Sequence, residues 1–177
     1  MNRSELSHIL RAACDVTEDP AILVIGSQAI LASFDEEELP AEAIRSIEAD
    51  VAFMDDPNEA KSDKVDGAIG ENSLFHETRG VYGQGVGIST ATLPSGWESR
   101  LVAFENAETG DSSAVCLDPH DLVVFEAGCR ARKDFDFARA LMVAGLIDVE
   151  ILLARAALLP ATVADRVTKA VNRAARR

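Results

Sequence analysis

Apolar side chains at Leu6, Ile9, Leu10 and Ala13 recur at the spacing of one helix face, and Ser4 stands where a hydroxyl can cap the first turn. The pattern predicts an amphipathic helix over residues 4–13. "EDP" at 18–20 breaks it, and "AILVIG" at 21–26 is then a β-branched run closed by glycine, too short for a helix and suited to a buried strand. "SQAILASF" (27–34) predicts a short helix, and "DEEELP" (35–40) a solvated acidic loop. Residues 46–54 predict a second strand, ended by the turn signal "DDPN". Residues 59–80 read as helical with glycine interruptions. "VYGQGVGIST" (81–90) and "SRLVAFEN" (99–106) predict a third and a fourth strand on either side of the turn-like "LPSGW", and "AVCL" (114–117) returns as a short strand after the loop "ETGDSS".

Beyond residue 118 the period changes to 3.6. The run 119–146 predicts helix, residues 148–159 a second one capped by Asp148, and the segment after Pro160 a third with Val163, Val167, Ala170, Val171 and Ala174 in one stripe. No internal repeat and no low-complexity linker interrupts the chain. The expectation is one α+β domain over 1–177, a mixed α+β part up to about residue 118 and a helical part from about 119 onward.

Composition narrows the function classes. The chain has 177 residues, 47% hydrophobic and 27% charged, in the range of ordinary globular proteins. No apolar run approaches the roughly 20 residues of a membrane span, and "MNRSELSHIL" is too polar for a secretory signal, so a cytoplasmic protein without membrane contact is expected. Cys14, Cys116 and Cys129 show neither a disulfide framework nor zinc-ligand spacing, and reduced, partly buried thiols are expected. The net charge of −13 argues against nucleic-acid binding by the surface as a whole. The charge is uneven, however. Asp15 to Glu77 holds 17 acidic and three basic side chains, whereas Pro160 to Arg177 holds five basic ones and a single acid, Asp165.

Chemistry concentrates in two short stretches. In "IEADV" (47–51), strand alternation puts Glu48 and Asp50 on one face and Ile47, Ala49 and Val51 on the other. Two carboxylates so close repel unless a cation lies between them, and a hard divalent ion held through oxygen suits them. In "VIGS" (24–27), Gly26 would let backbone approach a phosphate, while Ser27 would offer a hydroxyl and the free N–H groups of a helix start.

A strand ending in Gly-Ser, a helix, and then a carboxylate–hydrophobic–carboxylate strand resembles the nucleotidyltransferase superfamily with its polymerase-beta-like fold. The later "LDPHDLVVFEAGCRARKDFDFARALMVAGLID" is similar to the helical tail of small bacterial members, the AbiEii-type and DUF6036 groups. The resemblance covers about residues 20–155. It implies transfer of a nucleoside monophosphate from a nucleoside triphosphate to a hydroxyl on RNA, protein or a small molecule. Gly26, Ser27, Arg130 and Lys133 would bind the nucleotide; Glu48 and Asp50 would be the catalytic pair and hold Mg2+ or Mn2+. Members of these groups include toxins of toxin–antitoxin pairs that modify transfer RNA, so tRNA or protein acceptors and an antitoxin partner are implied. Some residues depart from the family pattern: Glu48 replaces an aspartate, Ile88-Ser89 stands where a third carboxylate would act as base, and Glu126 replaces a helix lysine. The alternative is a degenerate member that binds nucleotide or a partner without catalysis. His76 and His120 have acid–base chemistry available, although a lone histidine more often caps or faces solvent.

Overall fold

The computed structural model describes residues 1–128 and 132–176, with residues 132–134 described through their backbone alone. The architecture is α+β, as the pattern predicts. Helix α1 (Arg3–Thr17) leads into strand β1 (Leu23–Val24), a 3-10 turn (Ser27–Ala32), helix α2 (Ala41–Ile44) and strand β2 (Glu48–Ala52). Helices α3 (Ala60–Ile69) and α4 (Leu74–Arg79) precede β3 (Tyr82–Gly85), β4 (Val102–Ala103) and β5 (Val115–Cys116). Helices α5 (Pro119–Gly128), α6 (Arg132–Val143), α7 (Val149–Ala156) and α8 (Ala161–Ala175) follow.

The five strands form one mixed sheet in the order β3-β2-β1-β5-β4. β1 runs antiparallel to β2 and parallel to β5; β3 is parallel to β2, and β4 antiparallel to β5. Register fixes the faces of β2. Ala49 pairs with Gly83, and a Cβ on Gly83 would meet Ile9 of α1 at 2.9 Å and Ile69 of α3 at 3.1 Å. Ala49 and Val51, both buried, therefore face those two helices, and Glu48 and Asp50 face away from them. Gly85 answers a similar constraint, since the Ser62 carbonyl oxygen of α3 would lie 2.0 Å from any Cβ there. The apolar face of α1 (Leu6, Ile9, Leu10, Ala13) is wholly buried, and core residues continue through Leu122, Leu141, Leu152 and Val167 of the C-terminal helices.

Several expectations are corrected. The cap of α1 is Asn2, whose side chain accepts from the Glu5 N–H at 2.8 Å while Glu5 Oε2 accepts from the Asn2 N–H at 2.8 Å. Ser4 instead donates to Glu108 at 2.6 Å. The short helix expected after Gly26 is present as a 3-10 helix over Ser27–Ala32. Ile47 precedes β2 and is 48% exposed, rather than joining Ala49 and Val51 on the buried face. β3 stops at Gly85, and Ile88–Thr90 is a separate 3-10 turn with Ser89 exposed. Within the run 119–146 the described residues form α5 and α6, which pack against one another. Asp148 is a cap as expected, accepting from Glu150 and Ile151 N–H at 2.7 and 3.2 Å.

Candidate functional site

Glu48 and Asp50 alternate with buried residues along β2, so both carboxylates reach the same side of the sheet. There they line a cleft of about 350 Å³ together with Ser27, Arg45, Thr90 and Glu126. The structure thus brings three residues of the predicted site, Ser27, Glu48 and Asp50, into one cavity. Both β2 carboxylates are half-buried.

Gly26 has a packing role that its motif alone does not show. A Cβ built on it would fall 1.7 Å from Asp50 Oδ2. The missing side chain makes room for the Asp50 carboxylate, and it does so in extended backbone, with φ −87° and ψ −175°. β1 and β2 are locked at this point by the Ile25 N–H donating to the Asp50 carbonyl at 3.2 Å. The glycine and the carboxylate are therefore one packing unit across adjacent antiparallel strands.

Ser27 is oriented by its neighbour. Gln28 is fully buried; its Nε2 donates to Ser27 Oγ and to the Ala43 carbonyl, each at 3.2 Å. With that lone pair used, the Ser27 proton is available to an acceptor in the cleft. The Gln28 carbonyl oxygen accepts from the Met1 ammonium at 3.4 Å, and that ammonium also donates to the Ile44 and Ser46 carbonyls, which anchors the segment leading into β2. Burial lowers the pKa of this ammonium, opposed by the charge of Glu5. Nothing in the sequence pattern marks Gln28, because its role depends on segments 15 to 27 residues away.

Glu48 accepts a hydrogen bond at 3.1 Å from the hydroxyl of Tyr82, its register partner on β3. Burial, reinforced by that bond and by the negative charge of Glu48, pushes the Tyr82 pKa up to about 12, so the phenol remains a donor across the physiological range. The position opposite Asp50 on β3 is Gln84, not a carboxylate. Glu126 of α5, expected as a lysine replacement, is 8% exposed and supplies a further carboxylate to the cleft wall. Arg130 lies outside the described residues, as does the side chain of Lys133.

The cleft is acidic. Glu42, Glu48, Asp50 and Glu126 line it, and Arg45 is the cation among its described lining residues. Among the described residues no three His, Cys, Asp or Glu side chains converge as a metal-binding group. Glu48 and Asp50 are the two carboxylates that β2 presents to the cleft on one face of the sheet.

The histidines have structural partners. His76 Nδ1 accepts from the Asn72 N–H at 3.0 Å and its ring lies 4.8 Å from that of Tyr82. His120 Nε2 accepts from the Asp148 N–H at 3.2 Å, joining the starts of α5 and α7. Cys116 is buried, which raises its thiol pKa to about 12, and Cys14 is half-buried with its pKa also raised, first by burial and then by nearby acids. Cys129 lies outside the described residues. Among the described residues no helix is long and apolar enough to cross a membrane.

No family model, curated protein or solved structure matches this chain.

Proposed function

We propose that the chain is a metal-dependent nucleotidyltransferase that moves a nucleoside monophosphate from a nucleoside triphosphate to a hydroxyl on RNA, protein or a small molecule. One observation carries this reading: Glu48 and Asp50 share a cleft with Ser27, at the end of a strand antiparallel to theirs. In this mechanism the two carboxylates would hold Mg2+ or Mn2+, which would supply charge neutralisation to the polyphosphate as the acceptor oxygen bonds to the α-phosphorus, the α–β phosphoanhydride bond breaks and pyrophosphate leaves. Ser27 donates its hydroxyl proton to a phosphate oxygen, with Gln28 fixing its orientation. Tyr82 holds Glu48 in place and leaves the second carboxylate oxygen for the ion. In this reading a triphosphate binds together with its divalent ion, whose charge offsets that of the phosphates. Such chemistry belongs in the cytoplasm, where both are available.

A second reading is nucleotide or partner binding without transfer. It is favoured by Gln84, an amide where β3 faces Asp50, because an amide does not accept the proton of an attacking hydroxyl. Both readings are tested by incubating the protein with each labelled nucleoside triphosphate, Mg2+ or Mn2+, and a transfer-RNA pool. Transfer of label by the wild type and its loss in Asp50→Ala supports catalysis at this site. Label transfer that survives Asp50→Ala excludes the site. Calorimetric binding of triphosphate that requires the metal, with no transfer, establishes the second reading.

A further inference from the structure

A second cavity of about 390 Å³ lies between α5, α6 and α8, with a mainly apolar lining that includes Phe135, Ala138, Met142 and Val171; one carboxylate, Glu126, borders both this cavity and the β2 cleft. Its rim is cationic: Arg166, Lys169 and Arg173 all border it, and Lys169 and Arg173 also border an adjoining recess with Arg176. The spacing 166, 169, 173, 176 follows i, i+3, i+7, i+10, so the four cations form one stripe along α8 beside its buried Val167, Val171 and Ala174. In a chain of net charge −13, such a stripe is a local reversal of the surrounding field.

The cations are placed rather than loose. Arg166 donates to the Gly128 carbonyl at 2.9 Å, which pins it across the α5–α8 seam. The Arg173 guanidinium stacks 4.5 Å from the centre of the Phe135 ring and so forms part of the mouth. Lys169 pairs at 2.6 Å with Asp165, but both side chains are 74% exposed, and an exposed pair of this kind gives way readily to another anion.

We propose that this cavity binds a small anionic amphiphile, an alkyl or acyl chain ending in a phosphate or carboxylate. The chain fills the apolar interior and the head group meets Lys169 and Arg173. The volume falls in the range of small-molecule pockets, lined mainly by apolar side chains with a few polar groups that set orientation. A polynucleotide fits less well, because the apolar interior has no use for it and the net charge of the protein opposes it.

The test is calorimetric titration with n-octyl phosphate below its micellar concentration, against n-butyl phosphate, n-octanol and a single-stranded RNA oligonucleotide. Binding of octyl phosphate, with butyl phosphate and octanol each at least about tenfold weaker, is expected, because the chain and the charge both contribute. Arg173→Ala, an exposed position, should weaken binding about tenfold with the thermal midpoint little changed. Ala170→Trp should block the cavity; if that variant does not fold, Lys169→Ala combined with Arg173→Ala serves in its place. Equal affinity for butyl and octyl phosphate, unchanged affinity in Arg173→Ala, or binding of RNA but not of octyl phosphate would overturn the proposal.

Discussion

Two sets of acidic side chains behave in opposite ways in this molecule. Glu48 and Asp50 line an open cleft in which Arg45 is the cation among the described lining residues. Asp121, near the start of α5, is fully buried between two arginines: Arg100 Nε donates to Oδ2 at 2.7 Å, and Arg155 Nε lies 3.2 Å from Oδ1. The second contact is an ion pair without hydrogen-bond alignment, since among the described residues neither Oδ1 nor Arg155 Nε has a hydrogen-bond partner. Asp121 ties the turn before β4, α5 and α7 together. A buried carboxylate held between two guanidiniums ties the fold together, whereas the β2 carboxylates stand half-buried on a cleft wall and keep access to solvent.

The strongest way to break this contrast is to remove Asp121. Asp121→Ala leaves two guanidiniums without their shared counter-charge and should cost about 3 kcal/mol of stability, toward the low end for buried pairs because both arginines are partly exposed. Urea denaturation measures it. A loss below about 1 kcal/mol would mean that the triad is as dispensable as a surface pair.

Gly26→Ala tests the other side. The new methyl would overlap the Asp50 carboxylate, forcing it to turn or the strands to part, at a cost of about 1–3 kcal/mol. The same substitution should abolish metal-dependent nucleotide binding, because Asp50 is displaced. A variant of wild-type stability that still binds nucleotide would show that the close packing of Gly26 and Asp50 is not needed for the site.

Asn2→Ala, which removes the capping box of α1, should cost about 1 kcal/mol with no effect on the cleft. Its interest lies in legibility. Ser4 and Asn2 both carry a capping side chain, and the sequence alone prefers the one closer to the first apolar residue. The structure prefers the one whose partner, Glu5, sits three positions on. Asp148 and the apolar stripe of α8 are readable because their signals are local: a cap followed by a periodic run. The Asp121 triad is not readable, since residues 100, 121 and 155 meet only through the tertiary fold. The carboxylate pair lies between these cases. Alternation along β2 shows that Glu48 and Asp50 share a face, yet the reason for Gly26 depends on the antiparallel register of β1 and β2, and Glu126 joins the cleft from a helix whose pattern reads simply as core. The third strand is shorter than its pattern suggests, because "VGIST" continues the apolar alternation after Gly85, where the chain winds into the 3-10 turn Ile88–Thr90.

The smallest effect concerns how Glu48 is held. Tyr82→Phe removes one half-buried hydrogen bond and should cost about 0.5–1.5 kcal/mol. Tyr82 is also the only tyrosine in the chain, so its ionisation can be read directly by ultraviolet absorbance. Its pKa is raised from 10.0 to about 12, first by burial and then by Glu48, which means that folding favours the neutral phenol. The resulting stabilisation is complete below about pH 10 and is lost as pH rises toward 12. Glu48→Gln should move the absorbance midpoint down but not back to 10, because burial is the larger cause and remains. A wild-type midpoint near 10 under conditions in which circular dichroism shows the fold intact would separate Tyr82 from Glu48, and the cleft would lose the contact that orients its first carboxylate.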